Sequence, residues 1–240
     1  MKTLSLIFLL ICTTSVLTSA QTLTADEIIQ KHLTAIGGSD KIGKITSIVM
    51  EGKYNMGQGL EAPIKTYIIP EKAVRQEFSL QGQTMIQVVE GNGGWVISPF
   101  DGNKNAEHMP EEDVKRQQTG WDITGGLYNY AQRKCVAEYF GMDDFEGADV
   151  HKIRITLPTG QMIYHYIDAE NFMDINRMLK IKLGDKEIKY HTSYSNFVAS
   201  DYGVIMPMNL DGQTTITKVA FNVPIDPSLF VMPPKSSPTK

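Results

Sequence analysis

The chain has 240 residues and carries 23 Lys and Arg against 27 Asp and Glu, which gives a formal net charge of −4. This mildly acidic balance, without clustered basic residues, argues against binding to a phosphate backbone, and no nucleic-acid partner is expected. A chain of this length can bury one sizeable hydrophobic core, and a single domain is predicted over residues 21–234, followed by a flexible tail at 235–240.

The first 20 residues have the layout of a cleavable secretory signal peptide. An apolar run extends from Leu4 to Cys12, and small or polar residues follow up to Ala20. Small side chains at that point predict cleavage after Ala20, and export predicts a periplasmic location. Ile11 precedes Cys12, which disfavours a lipid-modified cysteine. Loss of Cys12 with the signal would leave Cys135 alone, so no internal disulfide is expected.

An amphipathic helix is predicted directly after the signal, in TADEIIQKHLTAIGG. Thr24 and Glu27 have the spacing of a capping box, and Gly37 and Gly38 supply a left-handed stop. The apolar residues of this stretch recur at helical spacing and form one stripe: Ile28, Ile29, Leu33 and Ile36.

Short strands joined by tight turns are predicted from residue 45 onward. In ITSIVMEGKYNM, apolar and polar residues alternate with a period of two, which is typical of a strand with one buried face. The runs APIKTYII, KAVRQEFSL, QTMIQVVE and GWVIS continue this pattern as an antiparallel meander. After an interruption it resumes in DVHKIRITLP, QMIYHYID, DINRMLKIKL, KEIKYHTSYSNFV, VIMPM and GQTTITKVAFN. Ten or eleven strands are therefore expected.

The interruption at residues 110–134, called the insert below, has a different composition. PEEDVKRQQ places a proline and acidic residues where a helix start favours them, and ITGGLYNYAQRK predicts a second short helix, broken from the first near Gly120. Glycines at 120, 125 and 126 suggest hinges, and Trp121 adds a large aromatic side chain. The insert is therefore predicted to cover one face of the sheet.

These elements predict an α+β fold. A long antiparallel meander twists and curls, so its apolar face is expected on the inside of the curve. A small closed barrel would fill its interior with its own side chains and would need no cover. The sequence therefore predicts a strongly curved antiparallel sheet that forms an unclosed β-barrel, with an N-terminal helix and a helical lid over the concave face.

No recognised catalytic or metal-binding motif occurs in the sequence. The five histidines lack metal-ligand spacing and are predicted to lie in solvent or at strand edges. His165 and Asp168 are an odd number of residues apart and would point to opposite faces of a strand. Cys135 has no histidine nearby in sequence, and the acidic residues at 143–149 lack the ligand order of a calcium loop. No enzymatic activity, cofactor or metal is predicted.

Methionines are frequent in the predicted strands. Because methionine adapts to irregular or changing contacts, their number, together with a cover that could be displaced, favours a cavity of lipid size. The methionines concerned are Met50, Met56, Met85, Met162, Met178, Met206 and Met208.

Several short patterns follow the amphipathic helix in order: PEKAVRQEF, EGNGGWVISP, the insert, KIRITLPTGQMIYHYID, YSNFVASDYGVIMPM and FNVPIDPSLFVMP. Their order resembles the periplasmic lipoprotein-carrier family, the LolA/LolB-like or outer-membrane lipoprotein-sorting proteins. The resemblance extends from Thr24 to Pro233, and the segments that match best are Pro70–Phe78, Gly91–Trp95 and Asn222–Phe230.

The resemblance implies a hydrophobic cavity that holds acyl chains beneath a lid. In carriers of this family an arginine near the cavity mouth latches the lid to the sheet, and Arg75 lies in the matching segment. The more apolar alternation, Val74, Gln76, Phe78 and Leu80, instead places Arg75 on the other face of the strand. The residues expected in the cavity and lid are Ile48, Met50, Tyr54, Met56, Val74, Arg75, Phe78, Ile86, Val88, Trp95, Trp121, Ile123, Leu127, Tyr130, Met162, Tyr164 and Tyr166.

The function that the resemblance implies is a monomeric periplasmic carrier. It would hold acyl chains of lipids or lipoproteins without covalent chemistry, receive them from an inner-membrane donor and pass them to an outer-membrane acceptor. Two alternatives are open. One is a module of the same fold that senses lipid or lipoprotein or binds a partner protein, and the other is a lipid-active hydrolase.

Overall fold

A computed structural model describes residues 23–183 and 185–235 of the chain. The predicted signal peptide, residues 1–20, lies outside the described residues, as does the predicted tail except for Lys235. None of the described helices is both long and apolar enough to cross a membrane.

Three helices and thirteen strands occur in the described ranges. The helices are α1 (Ala25–Ala35), α2 (Ser39–Ile42) and α3 (Glu111–Gln118), and single 3₁₀ turns lie at Pro99–Asp101, Thr119–Trp121 and Pro227–Phe230. The strands are β1 (Ile48–Asn55), β2 (Glu61–Ile69), β3 (Ala73–Leu80), β4 (Gln83–Glu90), β5 (Gly93–Ser98), β6 (Asn103–His108), β7 (Val136–Phe145), β8 (Ala148–Thr156), β9 (Met162–Asp168), β10 (Asp174–Leu183), β11 (Lys186–Ala199), β12 (Ile205–Leu210) and β13 (Thr214–Phe221).

All thirteen strands belong to one antiparallel sheet. Its order is β6-β5-β4-β3-β2-β1-β13-β12-β11-β10-β9-β8-β7, so β6 and β7 are its two ends. The pairing of β1 with β13 joins the N-terminal and C-terminal halves. The predicted α+β fold with an unclosed sheet is confirmed. The two strands that the sequence pattern did not reveal are the end strands, which flank the insert on either side.

The prediction of an amphipathic helix after the signal is confirmed by α1. The backbone N–H of Glu27 donates to Thr24 Oγ1 across 3.2 Å, and Glu27 Oε2 accepts from the backbone N–H of Thr24 across 2.8 Å, which completes the capping box. Its apolar stripe packs on the second half of the sheet, in a core that includes Ile28, Ile29, Leu33, Ile153, Ile155 and Ile167.

The sheet curls around the insert. Gln117 of α3 donates from Nε2 to Gln87 Oε1 on β4, and Gln161 beside β9 donates from Nε2 to the carbonyl of Lys115 on α3, both across 2.7 Å. β4 and β9 are eight positions apart in the sheet. In a flat sheet they would lie about 38 Å apart, whereas an eight-residue helix is about 12 Å long. One short helix reaches both only because the sheet folds around it, with its concave face toward the helices.

The prediction of a second helix in the insert was wrong. After the turn at Thr119–Trp121, residues 122–134 form a series of turns. The carboxylate of Asp122 accepts hydrogen bonds from the backbone N–H groups of Thr124 and Gly126, across 2.8 and 2.9 Å. Gly125 and Gly126 have φ of +61° and +93°. A local side-chain acceptor and two left-handed residues replace the regular helical ladder.

The opposite face of β2–β6 is covered by the C-terminal segment, residues 222–232. Trp95 Nε1 donates to the carbonyl of Phe230 across 2.9 Å, and Arg75 Nη1 donates to the carbonyl of Leu229 across 2.6 Å. Phe230 is buried there against Ala73 and Val88. This half of the sheet is therefore apolar on both faces, with the insert on one side and the C-terminal segment on the other.

Candidate functional site

Two cavities lie beside the insert. The smaller has a volume of about 200 Å³, and the larger about 390 Å³. The larger is within the range of small-molecule sites in proteins, which runs from about 300 to 1,000 Å³. The smaller is lined in part by Ile42, Ile45, Ile48, Pro70, Ile123 and Tyr128, and the larger by Gly125, Gly126, Cys135, Leu157, Pro158 and Ile163.

The two cavities share part of their wall. Glu71, Trp121, Asp122 and Arg133 line both of them. The indole of Trp121 is half-buried and packs with Ile123 against the core of the first half of the sheet, which contains Ile48 and Val74. Trp121 therefore contributes a large apolar side chain of the insert to the wall that the two cavities share.

An ion cluster forms the polar part of the shared wall. Arg133 Nη1 donates to Asp122 Oδ2, and Arg133 Nε lies 3.2 Å from Glu71 Oε1 on the turn between β2 and β3. Burial favours a raised pKa for Asp122, but the charge of Arg133 and the hydrogen bonds from Thr124 and Arg133 outweigh it and hold that pKa below its usual value. Asp122 is thus ionised, and both carboxylates face the single guanidinium.

The C-terminal part of the insert is fixed in the core beneath α1. Leu127 is fully buried, and Cys135 is buried in the same cluster. The hydroxyl of Tyr130 donates to the carboxylate of Asp26 on α1. Burial raises the pKa of the Cys135 thiol. Cys135 therefore keeps its proton, and a protonated thiol is the unreactive form of a cysteine. Leu127 and Tyr130 therefore belong to the framework of the fold, whereas Tyr128, Arg133 and Cys135 of the same stretch also reach the cavity walls.

A polar group on β9 and β10, which we call the latch, ties the insert to the sheet. Its members are His165, Asp174 and Arg177. His165 Nε2 lies 3.1 Å from the carbonyl oxygen of Gly125, and Arg177 Nη2 donates to the carbonyl of Ile123 across 2.8 Å. Asp174 Oδ2 contacts both partners, at 2.8 Å from His165 Nδ1 and 2.5 Å from Arg177 Nε. Two carbonyls of the insert are held by one buried cluster.

A β-bulge makes the latch possible. The pairing of β10 with β9 shifts register between Asp174 and Asn176, so that Asp174 faces Ile167 and Arg177 faces His165. Residues 174 and 177 would lie on opposite faces of a regular strand. The extra residue of the bulge returns both side chains to the face that carries the insert.

Burial and charge set the ionisation of the latch. Burial opposes the charge on Asp174, but Arg177 and His165 together hold the pKa of its carboxyl far below the usual value. Burial likewise opposes the charge on Arg177, yet Asp174 raises the pKa of that guanidinium further. Nearby on α1, burial lowers the pKa of His32 to about 4, and its Nδ1 bonds the carbonyl of Phe172 across 2.8 Å. His32 is therefore neutral near pH 7.

Several residues predicted for the cavity and lid lie near the insert. Ile48, Trp121 and Ile123 line the smaller cavity, and Trp121 also lines the larger. Met50 and Val74 pack in the same cluster as Trp121, whereas Leu127 and Tyr130 pack beneath α1. Farther along the strands, the rings of Tyr54 and Phe78 meet edge to face with centroids 5.9 Å apart, and Met56 is exposed beyond the end of β1.

Other predicted residues lie on the opposite face of the sheet, away from the insert. Arg75, Ile86, Val88 and Trp95 are in or beside the cluster under the C-terminal segment, and Arg75 donates from Nε to Glu77 Oε1 across 2.7 Å. Arg75 therefore holds the C-terminal segment and not the lid. The reason is strand alternation. Val74, the residue before Arg75, faces the insert, so the side chain of Arg75 points to the opposite face of the sheet.

Met162, Tyr164 and Tyr166 are corrected in the same way. The buried inward residues of β9 are Ile163, His165 and Ile167. Tyr164 and Tyr166 instead contact Phe140 and Phe145 of β7 on the outer face. The aromatic alternation of QMIYHYID suggested the wrong inner face, because two isoleucines and one histidine form the buried row.

Sequence reasoning also misjudged the histidines and missed the latch. His32, His151 and His165 are buried, with exposures of 2%, 7% and 0%, instead of lying in solvent or at strand edges. His165 does pair with an aspartate, but the partner is Asp174 on the neighbouring strand. The one available signal was the row of polar residues at 165, 174 and 177 across the hairpin from β9 to β10. Among the described residues, no three His, Cys, Asp or Glu side chains form a metal site.

The fold has relatives among solved structures. No protein-family model and no curated protein matches the sequence. A DUF1329 family protein from Desulfovibrio piger superposes with a TM-score of 0.53 at 12% identity, covering 88% of this chain and 98% of that one. A LolA superfamily protein from Nitrosomonas europaea superposes with a TM-score of 0.51 at 12% identity, with the same coverage of 88% and 98%. The chain therefore has a LolA-like fold, as the order of its sequence patterns implied.

Proposed function

We propose that the protein is an extracytoplasmic carrier that holds acyl chains of a lipid or lipoprotein in the cavities beside the insert. The position of Trp121 carries this proposal. Its half-buried indole is the one large apolar side chain among the four residues that line both cavities. Displacement of this side chain would enlarge the space beside the insert and expose the apolar residues under the concave face of the sheet.

The energetics of transfer favour such a displaceable side chain. An acyl chain of about fifteen methylenes gains about 12 kcal/mol on leaving water, at about 0.8 kcal/mol each. A carrier that retained all of this energy would release its cargo too slowly. Trp121 and Ile123 cover the apolar wall when cargo is absent, so cargo must displace them and binds less tightly. Membranes on either side of the transfer are apolar as well, so the net free-energy change can be near zero.

The moving part is the segment from Thr119 to Gly126. Its backbone is held by the latch through the carbonyls of Ile123 and Gly125, while Leu127 and the residues after it stay in the core under α1. Hinging at the glycines would swing Trp121 out of the cavities without unfolding the framework. The predicted signal peptide supports delivery outside the cytoplasm, with transfer from an inner-membrane donor toward an outer-membrane acceptor.

A binding assay with an uncharged acyl probe tests the proposal. The wild-type protein should bind a pyrene-labelled fatty acid methyl ester with a single saturable stoichiometry. Trp121→Ala, which removes the indole from the wall that the cavities share, should change the affinity severalfold or more. Phe140→Ala is the matched control, because Phe140 is 51% exposed on the outer face and should leave the affinity unchanged.

Isolation from the native cell envelope provides a second test. Native mass spectrometry of protein released under mild detergent should find acyl-containing cargo. If neither cargo nor probe binding is detected, and Trp121→Ala has no effect, the carrier proposal is wrong.

A second candidate function is a sensing module that binds a partner protein. The observation that favours it concerns β7, which forms one end of the sheet and exposes Val136, Phe140 and Met142. A free strand edge beside apolar side chains can accept a partner's strand. Stoichiometric capture of a partner, abolished by a proline at an outward-facing N–H of β7 and unaccompanied by lipid transfer, would favour this function over the carrier.

A further inference from the structure

The hydrogen-bond partners of His165 require that both of its ring nitrogens carry a proton. Its Nδ1 lies 2.8 Å from Asp174 Oδ2, and its Nε2 lies 3.1 Å from the carbonyl oxygen of Gly125. Neither oxygen carries a hydrogen, because Asp174 is ionised and a peptide carbonyl can only accept. Both contacts are hydrogen bonds only when both ring nitrogens are protonated. A neutral imidazole would turn one nitrogen lone pair toward an oxygen lone pair inside a buried site.

The charged and titratable groups around His165 determine how its extra proton changes the charge balance of the buried site. His32 faces it from α1 in the neutral form, and Tyr194 on β11 is buried against Arg177 with a raised pKa, so it is neutral as well. From the insert, Asp122 interacts with Arg177 but is already paired with Arg133. Asp174 is the carboxylate that His165 and Arg177 share. His165 therefore contributes its charge to a cluster in which Asp174 is balanced by Arg177 alone once that proton is lost.

We infer that the latch is operated by a proton on His165. When both ring nitrogens are protonated, His165 holds the carbonyl of Gly125 and keeps the insert closed, and loss of one proton weakens that hold. The bond to Asp174 is charge-assisted and persists with one proton on Nδ1, so the bond to Gly125 is the one that deprotonation removes. Arg177 still holds Ile123 in either state. By linkage, whatever opens the insert also releases the proton. The consequence for cargo rests on the proposed carrier function, but the latch itself does not.

Amide hydrogen exchange tests the latch without cargo. Protection factors for residues 123–128, each referred to the random-coil rate at the same pH, should fall about tenfold between about pH 5.5 and about pH 8.5, the range in which histidine changes charge. In His165→Gln they should not change with pH. His151→Gln is the matched control, because His151 is another buried histidine whose Nδ1 bonds Tyr139 at 2.9 Å, outside the latch. It should retain the wild-type dependence.

Nitrogen NMR of the wild-type side chains gives a second readout that does not depend on a variant folding. In the closed state the His165 ring should show two slowly exchanging N–H protons, because both ring nitrogens face oxygen acceptors in a buried site. A single N–H on that ring, or wild-type protection factors that do not depend on pH, would overturn the inference.

The cargo consequence is measured with the pyrene-labelled methyl ester, which has no titratable group. Its affinity for the wild-type protein should be about tenfold higher at the upper pH and pH-independent in His165→Gln. If the probe binds at neither pH and native mass spectrometry finds no cargo, the proposed function is overturned, while hydrogen exchange and NMR still decide the latch. A probe that binds equally at both pH values, with constant exchange, overturns the latch and leaves the carrier function standing.

Discussion

Gly125 lies so close to His165 that a β-carbon on the glycine would stand 2.6 Å from the histidine Cε1. The same β-carbon would be 3.1 Å from Nη1 of Arg177, and Gly125 has φ of +61°, a conformation that side-chain-bearing residues rarely adopt. The latch thus touches the insert at a position where only glycine fits. This contact joins the part of the insert that faces the cavities to the buried polar group of the sheet.

Gly125→Ala should therefore destabilise the fold and loosen the insert. The strained φ and the steric conflict with His165 together should lower the free energy of unfolding by about 2–4 kcal/mol. Gly120→Ala is the matched control in the same insert, since a β-carbon there meets nothing within 4 Å. It should change stability by less than about 0.5 kcal/mol. Urea denaturation of both variants decides the matter, and equal effects would contradict the close approach.

The buried His32 should make stability depend on pH. Burial lowers its folded-state pKa to about 4, whereas the unfolded chain has the ordinary value of 6.5. Between these values the unfolded state binds a proton that the folded state does not, so stability falls as pH falls from about 6.5 to about 4. The stability advantage of wild type over His32→Gln should therefore shrink by roughly 3 kcal/mol across this window and level off below it.

Denaturation of wild type and His32→Gln at several pH values measures this difference, and taking the difference cancels groups common to both proteins. His191→Gln, at an exposed position, should remain parallel to wild type. A constant difference between wild type and His32→Gln would show that His32 does not titrate in this window. Asp174 acts in a separate window, because its stabilisation is lost only as pH falls below the ordinary value for aspartate, about 3.9.

Local patterns were sufficient to predict the framework of this fold. Thr24 and Glu27 specify the start of α1, and alternation identifies eleven strands, because both signals lie within a few residues of sequence. The end strands β6 and β7 were missed because neither carries the full alternation of buried apolar and exposed polar residues. β6 reads NKNAEH, and β7 exposes Val136, Phe140 and Met142.

The site could be predicted only in part, because long-range geometry decides it. Trp121 and Ile123 stood out as apolar residues in a segment that cannot be a strand. The latch did not stand out, since a bulge at Asp174 overrides the alternation that places residues on faces. The contact with the insert that the resemblance implied for Arg75 on β3 is made in this structure by Arg177 on β10, seven strands further along the chain. Both faces of β3 are covered, so alternation alone could not show which face carries the cavities.

A substitution at Leu127, unlike one at an exposed position, should destabilise the fold. Its side chain is fully buried beneath α1 among Ile28, Ile153 and Ile155. Leu127→Ala should lower the free energy of unfolding by about 2–5 kcal/mol, because it removes buried methyl groups and leaves a cavity. Val231→Ala, at a position 66% exposed, should change it by less than about 0.5 kcal/mol. A small effect at Leu127 would mean that the whole insert, and not only its Trp121 part, moves freely.

The C-terminal segment depends on Trp95. The indole N–H reaches the carbonyl of Phe230, and Phe230 is only 4% exposed, so Trp95→Phe leaves a buried carbonyl without its donor. The cost should be about 1–3 kcal/mol, expressed mainly as release of residues 222–232 from the outer face. That release would uncover Ala73 and Val88, so proteolysis near the C-terminus should accelerate and binding of a hydrophobic dye should increase. Phe140→Ala, on the other half of the same face, should change neither. If Trp95→Phe leaves both unchanged, Arg75, through its bond to Leu229, is sufficient to hold the segment.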